Sequence, residues 1–175
     1  MCNFITNNLG VRVSWKSAPP IYFRITPSVP AKFDSAIASA ARKWNNTHRT
    51  LILVSRDNNY TQPPAENGVN AIYWMNEWSS SSPNEQARTS VNWNLSKITD
   101  TDIKINAKNF SYYIDSDENQ NGKVHLESLL VHEFGHALGL SHILERTSVM
   151  QPTLDSQTTR NQPGWVDMDS LNCEY

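Results

Sequence analysis

Four residues in the last third of this 175-residue chain combine types and spacing that could do chemistry: His132, Glu133, His136 and His142. In H-E-x-x-H the four-residue interval puts two imidazoles one above the other on one face of a helix, so both can bind one metal ion. A catalytic zinc takes three protein ligands and keeps a fourth position for water, so a further donor is needed, and His142 is the candidate. Gly139 lies between, where a left-handed residue can end the helix and let Leu140 and Ser141 turn the chain back. Glu133 sits beside His132 but does not share its direction, which suits a general base that then becomes a general acid. Zinc would lower the pKa of water to roughly 7 and polarise a carbonyl, so the expected chemistry is peptide-bond hydrolysis with one catalytic Zn2+. H-E-x-x-H alone arises by chance on apolar helices. The full H-E-x-x-H-x-x-G-x-x-H fixes five positions and is expected by chance in roughly one chain of this size in 10⁵.

The helix that must carry this motif spans 126–138, after an Asn121-Gly122 turn and before Gly139 as a stop. A second amphipathic helix is expected over 31–45, where Phe33, Ile37, Ala40, Ala41 and Trp44 recur at helical spacing after Pro30. Residues 21–26 alternate apolar and polar with period two, and 51–55, 70–75, 87–93 and 101–106 are further short strand candidates bounded by polar turns. A strand, a helix, several strands and a second helix in that order predict an α+β domain with both helices on one face of a mixed sheet. The length suits one domain over 1–175.

Fifteen basic against seventeen acidic side chains, a net charge of -2 and no run of either sign give no reason to expect nucleic acid or an anionic membrane as partner. No apolar run approaches the ~20 residues that span a bilayer. Residues 1–10 lack the basic-then-apolar pattern of a secretory signal, so any such signal is expected to have been removed or never to have existed. Cys2 and Cys173 leave two alternatives open, a bridge tying the termini and two free thiols. Cys2 also fits the residue left, and lipid-anchored, at a lipoprotein cleavage site.

The string HEFGHALGLSH at 132–142, followed by Ser148-Val149-Met150, resembles the metzincin clan of zinc endopeptidases. With Met150-Gln151-Pro152 it is most similar to the matrixins, the matrix-metalloproteinase-like branch that includes bacterial members. Upstream, Trp15, the 21–26 strand, the 31–45 helix ending in Lys43-Trp44-Asn45, and DTDIKIN at 100–106 agree in order and spacing. The resemblance implies a mostly parallel twisted sheet of about five strands, with the active-site helix followed by a small C-terminal subdomain (upper part about 1–139, lower part about 140–175). It also implies protein or peptide substrates and a secreted or extracytoplasmic location, and a monomer is expected. Met150 would form a hydrophobic floor under the zinc ligands without coordinating. Pro152 stands where astacin-like and serralysin-like members carry a tyrosine ligand, so no tyrosine switch is expected. Ile143 departs from the serine usual in animal matrixins. Those relatives bind a structural zinc through extra histidines, but outside the motif this chain has only His48 and His125, so a single zinc is expected.

The resemblance further implies that substrate pairs with an edge strand at about 87–93. Pro152, Thr153 and Leu154 would line the pocket beyond the scissile bond, with Ser128 setting its depth for a medium to large hydrophobic residue. Asp115, Asp117 and Asn119 alternate oxygen donors ahead of Gly122, but the glycine is not at the sixth position and Leu126 replaces the glutamate at the twelfth. A solvated acidic turn is the main reading and an irregular Ca2+ site its alternative. The alternatives to an active peptidase are a latent protease and a zinc-containing module that binds peptide or protein without turnover; the intact Glu133 weighs against the module.

Overall fold

A computed structural model of the chain describes residues 2–45 and 49–175. In β1 (Ile21–Ile25), Ile21, Phe23 and Ile25 are buried while Tyr22 and Arg24 are exposed, so one face of the strand meets a core and the other does not. With β2 (Ile52–Arg56), β3 (Asn70–Met75), β4 (Ala87–Asn94) and β5 (Lys97–Asn106) it forms a five-stranded sheet in the order β2-β1-β3-β5-β4. All neighbours are parallel except β4, an edge strand paired antiparallel with β5. This is the mostly parallel α+β sheet that the sequence predicts.

Two helices cover one face. A 3-10 turn at Ala31–Phe33 leads into α1 (Asp34–Trp44), and α2 (Leu126–Ala137) lies against it. Phe23 of β1 meets Phe134 of α2 edge to face at 5.3 Å, and the Trp44 indole donates to the Val131 carbonyl at 2.9 Å. The opposite face is covered in part by the loop between β2 and β3. Asp100 accepts the Asn67 and Gly68 amides (3.1 and 2.7 Å), and Asp102 accepts those of Ala65 and Ala71 (3.0 and 3.1 Å). Burial pushes the Asp102 carboxyl up to about 6.

Some elements escape the sequence patterns. β5 starts at Lys97 rather than 101, because Leu95 takes a left-handed φ of 57° in a tight connection from β4 and Ile98 already points into the core. The strands β6 (Tyr112–Tyr113) and β7 (Val124–His125) and the helix α3 (Trp165–Leu171) are too short to show a period. The chain ends are clasped together. Cys2 and Cys173 are bonded (S–S 1.98 Å), Glu174 pairs with Lys16 at 3.0 Å, and Phe4 bridges to Leu140. The disulfide corrects the lipid-anchor reading of Cys2, since its sulfur is committed to Cys173 and cannot also carry a thioether. His48 lies outside the described residues. Among those described, no helix is long and apolar enough to cross a membrane.

Candidate active site

The end of α2 builds the site. Gly139 has φ +96°, its N–H donates to the His136 carbonyl (2.8 Å), and the next amide, Leu140, donates to the Gly135 carbonyl (2.9 Å). These are the paired bonds of a Schellman motif, which reverses the chain after a helix. The last carbonyls, left without helical partners, are taken by distant side chains: Trp15 Nε1 donates to Ala137 O at 2.8 Å and Tyr175 Oη to Leu138 O at 2.6 Å. The reversed chain then brings His142 back towards the helix.

There the Nε2 atoms of His132, His136 and His142 converge, at 3.0, 3.0 and 3.2 Å from one another. His132 Nδ1 donates to the Val149 carbonyl at 2.8 Å and His136 Nδ1 to the Leu140 carbonyl at 2.9 Å, which turns the Nε2 lone pairs of both rings inward. Zinc with nitrogens at 2.0–2.1 Å in tetrahedral geometry requires them about 3.3 Å apart, so the donor set and its spacing fit that ion. Burial pushes the His132 imidazole down to about 3 and lowers that of His142, favouring the neutral rings that metal binding needs. Among the described residues this is the group of His, Cys, Asp and Glu side chains whose ligand atoms lie close enough together to hold a metal.

Glu133 is buried beside the cluster, and Thr89 Oγ1 of β4 donates to its Oε2 at 2.5 Å. Burial raises the Glu133 carboxyl above the usual range while the Thr89 bond opposes that shift. Met150 is fully buried against α2 at Gly135, where an added Cβ would fall 2.3 Å from Met150 Sδ and 3.0 Å from Trp44 Cζ2. Its turn is pinned by Asp167 of α3, which accepts the Ser148 hydroxyl (2.5 Å) and the Val149 amide (3.0 Å).

A cleft of about 440 Å³ opens beside the histidines, lined by β4, by α2 and by 151–155 with Arg160. Pro152, Thr153 and Leu154 line it. Ser128 does not. Its hydroxyl is buried, hydrogen-bonded to His125 Nδ1 (2.7 Å) and accepting the Arg160 amide (2.8 Å), and Leu129 occupies the wall instead. Leu129 was findable, being three residues before His132 and so on the same helix face. Arg160 was not; its guanidinium braces the wall through Gln151 Oε1 (2.9 Å) and Thr153 O (2.7 Å), a long-range arrangement that no local pattern announces. The acidic loop spends its oxygens on the chain itself. Asp115 lies 3.0 Å from His125 Nε2, Asp117 accepts the Ile114 amide (3.0 Å) and Asn119 accepts that of Asn121 (3.2 Å).

The matrixin family model matches residues 15–175, and the chain belongs to that family, a family of metalloproteases. Matrix metalloproteinase-21 of Cynops pyrrhogaster is 38% identical over 52 residues, which make up 30% of this chain and 8% of that protein.

Proposed function

We propose that this matrixin is an endopeptidase that holds one zinc ion through His132, His136 and His142 and uses Glu133 as its general acid/base. The observation that carries the reading is the convergence of three Nε2 atoms at 3.0–3.2 Å, in a cleft and beside a buried carboxylate. Zinc bound there supplies a Lewis acid that polarises the scissile carbonyl and makes water more acidic. Glu133 takes a proton from the attacking water as its oxygen bonds to the carbonyl carbon. It then delivers that proton to the amide nitrogen as the C–N bond breaks.

The β4 edge has the unpaired main-chain groups that an extended substrate needs for strand addition. Leu129 and Leu154 give the pocket apolar walls, which favour a medium to large hydrophobic residue just after the cut. Met150 serves as a buried support that does not coordinate. We treat the chain as one catalytic unit whose cleft separates an upper part, about 1–139, from a lower part, about 140–175. The Cys2–Cys173 bridge favours an oxidising, extracytoplasmic compartment.

The test is mass-spectrometric cleavage profiling of a diverse peptide mixture by zinc-loaded protein, with Glu133→Ala and a chelated sample in parallel. Cuts confined to the wild type, with hydrophobic residues following them, are expected. A folded, zinc-loaded wild type that cuts nothing would leave a latent protease or a binding module.

A further inference from the structure

We propose that Thr89 is a positioning residue that sets the orientation of the Glu133 carboxylate from the edge strand; this rests on the reading of Glu133 as the acid/base. Thr89 lies on β4 two residues after the buried Ala87, on the same face of the sheet, and its pairing with the buried Ile103 turns it towards α2. From there its Oγ1 lies 2.5 Å from Glu133 Oε2 and 3.2 Å from the Glu133 carbonyl. Glu133 is 4% exposed, so its carboxylate has little solvent with which to replace this bond.

The chemistry needs one carboxylate oxygen aimed at the reacting atoms and the side chain kept from rotating. A threonine hydroxyl offers one proton. Donated to Oε2, it holds that oxygen in place and so fixes the plane of the carboxylate that takes and returns a proton. The donor sits on a strand, and β-branching limits its own rotation, so the contact is stiffer than one from a loop. β4 is also the strand along which an extended substrate would pair, so the same element registers the substrate backbone and aims the carboxylate. Removing the hydroxyl should therefore slow turnover and leave substrate affinity alone.

The experiment measures kcat and KM of the zinc-loaded whole chain on a quenched-fluorescence peptide with leucine after the cut, for wild type, Thr89→Val, Thr89→Ser, Glu133→Gln and the Thr89→Val/Glu133→Gln pair. Thr89→Val keeps the shape and loses the donor, and kcat is expected to fall about 10- to 100-fold, the range for losing an orienting partner, with KM within about twofold. Thr89→Ser restores the hydroxyl and should recover most of kcat. In the Glu133→Gln background Thr89→Val should have no further effect, because the carboxylate it serves is gone. Zinc content and melting temperature identify any variant that fails to fold, and Thr89→Ala then replaces Thr89→Val. A kcat within about twofold of wild type for the folded Val or Ala variant, or effects that multiply in the double variant, would overturn the proposal. Wild-type kcat in Glu133→Gln would instead remove the acid/base reading itself.

Discussion

Alanine substitution at Gly139 should damage both the fold and the metal site, by an amount the local geometry sets. A Cβ there would lie 2.5 Å from the Val13 carbonyl oxygen and 3.2 Å from Phe4 Cδ1, in a residue whose φ is +96°. The oxygen cannot retreat easily, since Val13 is fully buried and its amide is bonded to the Ile5 carbonyl at 2.8 Å. Positive φ costs an L-residue about 1–2 kcal/mol, and overpacking a tight site adds about 1–3 kcal/mol, so Gly139→Ala should lose about 2–5 kcal/mol. At this chain length each kcal/mol lowers Tm by roughly 2–4 °C, which puts the drop at about 4–20 °C. Gly68→Ala is the control: its φ is +77° but nothing lies within 4 Å of the added Cβ, so it carries the strain without the clash. Thermal unfolding of both variants after chelation keeps zinc linkage out of the comparison. Gly139 also precedes the carbonyl that orients His136, so zinc affinity should fall by about 10-fold or more. Equal Tm values for Gly139→Ala and Gly68→Ala would refute the reasoning.

Three other perturbations separate competing effects. Gly135→Ala gains about 1 kcal/mol of helix propensity but forces a Cβ onto Met150 Sδ and Trp44, an overpacking cost of about 1–3 kcal/mol that should win; a raised Tm would show that Met150 yields. Ser128→Ala would merely deepen the pocket if Ser128 lined it. Here it leaves His125 Nδ1 and the Arg160 amide without their buried partner, about 1–3 kcal/mol for each, so Tm should drop and the residues accepted after the cut should broaden as the 151–160 wall loosens. Asp102 titrates near 6 when folded and near 3.8 when unfolded, so its contribution is fully present below about 3.8 and is lost as pH rises through about 6. Urea unfolding should show the stability of wild type relative to Asp102→Asn falling by about 3 kcal/mol from pH 3.5 to pH 7, and a flat difference would mean the carboxyl is not shifted.

Much of this site was legible because its signals are local. Two histidines four apart on a helix, with a glycine and a third histidine at set intervals, mark candidate ligand positions within one stretch of eleven residues, 132–142. The strands showed through alternation, as with Ile21, Phe23 and Ile25. What stayed hidden depends on contacts across the chain. Thr89 reaches Glu133 over 44 positions, and Asp167 reaches Val149 from a seven-residue helix with no readable period. Ser128 misled because spacing places it one turn before His132 without saying that β7 and the Arg160 amide would claim its hydroxyl.

The most direct test of a zinc site that cuts peptides is reconstitution: chelated protein is titrated with zinc while peptide cleavage and bound metal are followed together. Activity should rise in step with bound zinc and level off at one equivalent in the wild type. Glu133→Ala should bind the same equivalent and stay inactive, and His142→Ala should bind zinc far more weakly. Cleavage that persists without zinc, or that is retained in Glu133→Ala, would contradict the assignment.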